Sequence, residues 1–239
     1  MARVRIEFAK GDPVRFLSHL DLMKAFERAI RRAQIPIAFS EGFNPHPRMN
    51  FASALAVGVT SEKEYLDIDL KNDMELKELA ARLDKALPPG IVMKSVRSVP
   101  DKAPPLMAVV NRAEYVVTAE LEGLLDTGEM KRKITDFMDR SEVNITKRTK
   151  KGPRQKNIRP GILKFEADIF DTKIDFFIST VTGNEGNVRP EEVICAFVGS
   201  TGLPVDCETL YIKRIALYVD EGGEMLDPMD YYTISGSRR

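Results

Sequence analysis

Two tandem βαββαβ domains of the α+β class are what this sequence predicts, on three observations. Stretches of two-residue alternation and stretches of helical periodicity follow one another in that order, the order recurs in the second half, and a proline-rich stretch parts the halves. A chain of 239 residues suits two domains of ordinary size, and 43% hydrophobic content is enough to fill their cores.

The first strand is RVRIEFA, in which Val4, Ile6 and Phe8 share one face. A helix begins at LSHLD, with Ser18 as N-cap, Asp21 as its reciprocal partner and Leu17 with Leu22 as a hydrophobic staple. Leu22, Phe26, Ala29, Ile30 and Ala33 form its buried face. RMNFASALAVGV and EYLDIDL read as two strands; in the second, Tyr65, Asp67 and Asp69 alternate with Leu66, Ile68 and Leu70. NDMELKELAARLDKAL is a helix with an Asn72–Glu75 capping box and a stop at Pro88-Pro89-Gly90, and IVMKSVRSV is a further strand. Residues 1–99 therefore read as a ferredoxin-like domain with PDKAPPLM, residues 100–107, as its linker.

The second ferredoxin-like series occupies 108–219. AEYVVTAEL is a strand, and TGEMKRKITDFMDR a helix carrying Met130, Ile134, Phe137 and Met138. VNITKRT, ILKFEADIF and KIDFFISTV are strands, the last two joined by a hairpin at Asp171-Thr172. RPEEVICAFVG is a helix with Pro190 in its first turn and Gly199 at its end, and ETLYIKRIALYV closes the series. The glycines of VGSTGLP read as a helix stop, since a helix C-terminus is the wrong end of the dipole for an anion and no Walker lysine or G-x-G-x-x-G accompanies them. Residues 220–239 lack a core-forming pattern and are expected as a mobile acidic tail. Its charges, Asp220, Glu221, Glu224, Asp227 and Asp230, would shield a basic segment elsewhere.

That segment lies between Glu142 and Glu166, where no acidic residue occurs. Lys147, Arg148, Lys150, Lys151, Arg154, Lys156 and Arg159 read as a flexible basic loop able to track a phosphate backbone, although net charge over the whole chain is zero. On the first helix Lys24, Arg28, Arg31 and Arg32 fall within an arc of roughly 100°, opposite the apolar face. Glu27 interrupts this stripe and can pair with Arg31, so a binding stripe and a solvated face both stand open.

The two histidines are His19 and His46, and the second sits between Pro45 and Pro47 in SEGFNPHPRM. Prolines stiffen this loop, which would present Asn44, His46 and Arg48 to a substrate or partner, or would make a tight structural crossover. Neither histidine is assigned catalysis; the alternative is a metal-independent endoribonuclease using His19 or His46 as general base. Cys195 and Cys207 have no cluster or zinc spacing, so no metal and no cofactor is expected on this chain. With no apolar leader and no apolar run of about 18 residues, a cytoplasmic protein without a membrane partner is expected.

The segment RFLSHLDLMKAFERAIRRAQIPIAFSEGFNPHPRMNFASALAVGVTSEKEYLDIDL, with TKRTKKGPRQKNIRPGI, resembles the uncharacterised bacterial family of radical-SAM-linked proteins, with LSHLD and EGFNPHP as its distinctive motifs. Members are encoded beside, or fused to, a radical SAM protein. The resemblance implies a radical SAM partner that carries an iron–sulfur cluster and S-adenosylmethionine, and it brings no catalytic residues with it. A weaker similarity is to the CRISPR repeat-processing RNA endonucleases, which pair two ferredoxin-like folds and carry a glycine-rich loop where VGSTGLP lies with fewer glycines. The expectation is a non-catalytic adaptor presenting an RNA, such as tRNA or rRNA, to a radical SAM enzyme. A protein–protein scaffold without nucleic acid is a third alternative.

Overall fold

In the computed structural model, residues 2–100, 103–121, 123, 126–149 and 152–232 are described. The class is α+β. The chain divides into two compact units, one of Met1–Asn111 with Ala216–Arg239 and the other of Arg112–Ile215. Lys150, Lys151, residues 101 and 102 of the linker and residues 233–239 of the acidic tail lie outside the described residues.

The first unit runs β1 (Ala2–Lys10), α1 (His19–Arg32), β2 (Met49–Phe51), β3 (Val59–Leu70), α2 (Leu76–Ala86), β4 (Ile91–Val99) and the single turn α3 (Leu106–Val109). Its strands lie in the order β4-β1-β3, with β2 on the far side of β3, and these pairings are antiparallel. Val4, Ile6 and Phe8 of β1 and Leu66, Ile68 and Leu70 of β3 form one apolar face. Against it pack Leu22, Phe26, Ala29 and Ile30 of α1 and Leu79 and Leu83 of α2. The helical periodicity and the strand alternation thus meet in a single core, with Phe8 and Phe26 edge to face at 4.8 Å between ring centroids.

Local chemistry sets the helix starts. Ser18 Oγ accepts from the Asp21 amide at 3.1 Å and donates to the Asp21 carboxylate at 2.7 Å, as the LSHLD pattern requires. Just upstream, the fully buried Lys10 ammonium donates to the carbonyls of Arg15, Leu17 and Val59 at 2.8–3.2 Å and fixes the approach to α1. The expected Asn72–Glu75 box does not form: α2 starts at Leu76, with Glu75 at the N-cap and no side-chain cap bond. β2 keeps only three of the residues expected in its strand. At Gly58 the chain turns with φ +83°, a conformation that favours glycine, and its amide donates to the Arg15 carbonyl. The Ala52 amide still donates to the Tyr65 carbonyl at 2.9 Å, and β2 ends before it, at Phe51.

The larger departure from expectation is the acidic tail. β10 (Tyr211–Glu221) passes from the second unit into the first and turns back as β11 (Glu224–Leu226). Residues 227–232 then bind the polar face of the first unit's sheet. There Arg5 and Asp67, register partners across β1 and β3, form a fully buried bidentate pair at 2.7 and 2.8 Å. The remaining Arg5 nitrogen donates to the Pro228 carbonyl, and the guanidinium lies 4.9 Å from the Tyr232 ring. Tyr65 donates to Asp227 at 3.0 Å, Lys63 pairs with Asp227 at 3.2 Å, and Arg97 pairs with Asp230. The segment has its own anchoring chemistry, which a search for apolar periodicity passes over.

The second unit runs β5 (Arg112–Glu120), α4 (Thr127–Met138), β6 (Asn144–Thr149), β7 (Gly152–Asn157), β8 (Ile162–Phe170), β9 (Lys173–Val181) and α5 (Pro190–Thr201), followed by the start of β10. β5, β9 and β8 are neighbours in that order, all antiparallel, while β6 and β7 form a separate two-stranded sheet among the described residues. Phe137 of α4, Phe165 of β8, Phe176 of β9 and Phe197 of α5 form one aromatic core, with ring centroids 5.0–6.1 Å apart. α5 ends two residues beyond the expected Gly199, at Thr201, with the left-handed Gly202 (φ +64°) as its C-cap.

Candidate nucleic-acid interface

The basic segment is a β-hairpin, where the sequence suggested a loop. In its register Lys147 faces Arg154, Ile145 faces Lys156 and Arg148 faces Pro153. The VNITKRT strand is present as β6; its return strand β7 reads as loop in the sequence because GPRQKN is polar throughout and has no apolar face to declare itself.

Its cations divide by role. Arg148 and Arg154 are exposed. Lys147 is held by Glu192 of α5 at 2.8 Å, and the Lys156 ammonium donates to the Asn187 carbonyl at 2.7 Å. Burial first, then the neighbouring Lys147 charge, push Lys156 below its ordinary pKa. Arg159 is a structural residue. Two of its guanidinium nitrogens donate to the Met138 carbonyl at 2.8 and 2.6 Å and a third to the Ile162 carbonyl at 3.0 Å, so it caps the C-terminus of α4.

On α1, Lys24, Arg28 and Arg31 are exposed. Arg32 reaches the Ala86 carbonyl at the end of α2, which ties together the two helices' C-termini. In the NPHP loop, Ser40 and His46 close a short rung: the Ser40 amide donates to the His46 carbonyl at 2.8 Å, and the His46 amide donates to Ser40 Oγ at 2.9 Å. Phe39 bridges to Pro47, and the Arg48 amide donates to the Ala38 carbonyl. The Arg48 guanidinium lies 3.8 Å from Asp69, anchoring the loop to β3. Asn44 and His46 are exposed, and between them and Ser40 Phe43 stands wholly in solvent.

His46 lines a cleft of about 470 Å³ with Arg31 and Glu27 of α1, Lys71, Phe39 and the flanking prolines. Lys71 and Phe39 were not singled out in the sequence; only the fold brings them beside the loop. His19 is elsewhere. It opens α1 with its ring edge to face with Phe51 at 5.3 Å, whereas His46 lies by Arg31 in the last turn, about 18 Å further along the helix axis. The two histidines do not form an acid–base pair. Among the described residues no group of three or more His, Cys, Asp or Glu could hold a metal ion, and no helix is long and apolar enough to cross a membrane.

These features define an α+β protein with an exposed cationic hairpin in one unit and a proline-walled cleft in the other. Residues 3–190 match the model of the DUF2344 family, described as an uncharacterised protein conserved in bacteria, and the chain belongs to that family. Among curated proteins none matches. Among solved structures, a Cbf5–Nop10–Gar1 complex is similar at 12% identity and TM-score 0.49, over 100% of this chain and 56% of that one. An H/ACA RNP bound to a substrate RNA containing 2′-deoxyuridine is similar at 10% identity and TM-score 0.46, over 100% and 56%. A RAMP protein binding different RNA substrates is similar at 10% identity and TM-score 0.24, over 77% and 90%. The chain spans little more than half the length of the first two.

Proposed function

We propose that this chain is a non-catalytic adaptor that binds RNA, of the tRNA or rRNA class, and presents it to a radical SAM enzyme. The observation that carries the RNA half is the β6–β7 hairpin. Arg148 and Arg154 are exposed on a narrow ribbon, and Lys156 is held where burial and Lys147 disfavour its charge. A phosphate beside Lys156 adds to the counter-charge that Glu192 already supplies and favours the charged form further. The partner half rests on the LSHLD and EGFNPHP motifs and their resemblance to radical-SAM-linked proteins; the iron–sulfur cluster and S-adenosylmethionine would belong to that partner. The order β4-β1-β3-β2 in the first unit and β5-β9-β8 in the second support the reading of both as ferredoxin-like scaffolds.

The test is RNA binding as a function of salt. The double variant Arg148→Ser/Arg154→Ser should weaken binding across sequences and flatten the slope of log K against log salt by about 0.7–0.9 per lost phosphate contact. An unchanged affinity and slope would remove the hairpin as the phosphate site. Retained affinity for the radical SAM protein with no RNA binding at all would favour the scaffold reading.

A further inference from the structure

We infer that the cleft between the last turn of α1 and the Pro45-His46-Pro47 wall is a binding site for one nucleoside phosphate, either free or as a single residue of an RNA strand. In the strand form the inference rests on the RNA-binding reading above; in the free form it stands without it.

Size and lining come first. A volume of about 470 Å³ falls within the roughly 300–1,000 Å³ usual for small-ligand sites. Apolar and polar surface line it about equally; the apolar part comes from Ile30, Ile35, Ile37 and Pro36, with the partly exposed Phe39 ring as the aromatic surface on which a base can stack. Two cations enter from separate elements: Arg31 from α1, and Lys71 from the residue after β3. The Lys71 ammonium lies 5.3 Å from the centre of the Phe39 ring, so aromatic surface and cation fall within the span of one nucleotide.

Charge narrows the ligand further. Arg31 and Lys71 outnumber the one carboxylate, Glu27, and leave the cleft net positive toward a phosphate. Glu27 favours an occupant that brings a hydrogen-bond donor of its own, which a fatty acid lacks. A nucleoside supplies that donor from a ribose hydroxyl or an exocyclic amine. The Ser40–His46 rung, the Phe39–Pro47 bridge and the bond from the Lys71 amide to the Pro36 carbonyl at 2.7 Å hold the walls before any ligand arrives. Little ordering then opposes binding.

The test is calorimetric titration of the full chain with adenosine 5′-monophosphate, with inorganic phosphate in parallel. The nucleotide should bind, and phosphate alone should bind at least about tenfold more weakly. Arg31→Met and Lys71→Met, both at exposed positions, should each weaken nucleotide binding about tenfold or more, as expected for loss of a charged hydrogen bond. Their melting temperatures should match the parent, and Arg148→Ser/Arg154→Ser should bind the nucleotide as the parent does. A short single-stranded RNA that competes with the nucleotide identifies the strand form, and nucleotide binding without competition identifies the free form. Absence of nucleotide binding, indifference to both cleft variants, or equal affinity for inorganic phosphate would each overturn the inference. Failure there with an intact hairpin-dependent RNA affinity sinks the cleft alone. Hairpin-independent RNA affinity with cleft-dependent nucleotide binding sinks only the adaptor reading.

Discussion

Arg5 and Asp67 face each other across β1 and β3 with both side chains about 1% exposed. Such a pair contributes little over a matched apolar pair, yet removing one partner strands a charge and costs about 3–5 kcal/mol. Asp67→Leu should therefore unfold the protein at markedly lower urea, while the double variant Arg5→Met/Asp67→Leu should recover part of the loss. A double-variant loss equal to the sum of the losses in Arg5→Met and Asp67→Leu would show that the two side chains are not coupled. The sequence made the alternation of Tyr65, Asp67 and Asp69 legible, but the partner of Asp67 lies 62 residues away, which no local pattern reveals. The thiols add a pH dependence. Burial, then the adjacent Cys207 thiol, push Cys195 from the usual 9.0 up to about 12. A raised thiol pKa means the folded state keeps a proton that the unfolded chain releases, so its contribution is intact below pH 9.0 and is lost toward about 12. Cys195→Ala should flatten the fall of stability over that window, measured by urea melts; an identical pH profile would exclude this origin.

At the level of single elements, the cues that could be read were local ones. Ser18 and Asp21 lie three residues apart and form the cap that LSHLD promised. The α2 cap failed because Asn72 and Glu75 lie outside the helix that begins at Leu76. The return strand β7 was read as a basic loop, and the partners of the segment's cations, Glu192 for Lys147 and the Met138 carbonyl for Arg159, are remote in sequence. These contacts separate the cations by experiment. Arg159→Met should cost about 1–2 kcal/mol, from the lost charge-assisted bonds at a helix C-terminus. Arg148→Ser/Arg154→Ser should stay within about 0.5 kcal/mol of the parent, as exposed substitutions do. Thermal melts of the two proteins check this, and equal losses would mean that Arg148 and Arg154 also support the fold. Only the exposed pair can then report on RNA without a stability correction.

For the molecule as a whole, element order was legible, but the return of the chain end to the first unit was not, because 220–232 carries acidic residues where a core segment would carry apolar ones. Those charges are engaged inside the first unit. Asp220 accepts from the Gly223 amide, Glu221 from the Tyr231 hydroxyl, Asp227 from Lys63 and Tyr65, and Asp230 from Arg97. They are not arranged as a free polyanion waiting for the hairpin. Deleting residues 227–239 would uncover Tyr65 and the Arg5–Asp67 pair, which are all but fully buried, and strip Arg5 of the Pro228 carbonyl. Each buried polar group left without its partner costs about 1–3 kcal/mol. The truncated protein should therefore melt well below the parent, with RNA affinity of the folded fraction changed less than about twofold at low salt, since exposed long-range pairs are weak and screened. The single change Asp227→Asn keeps the chain intact and removes the charge facing Lys63; it should reproduce the direction of the stability loss at smaller size. A truncated protein that melts like the parent and binds RNA several-fold more tightly at low salt would restore the shielding tail in place of the anchored one.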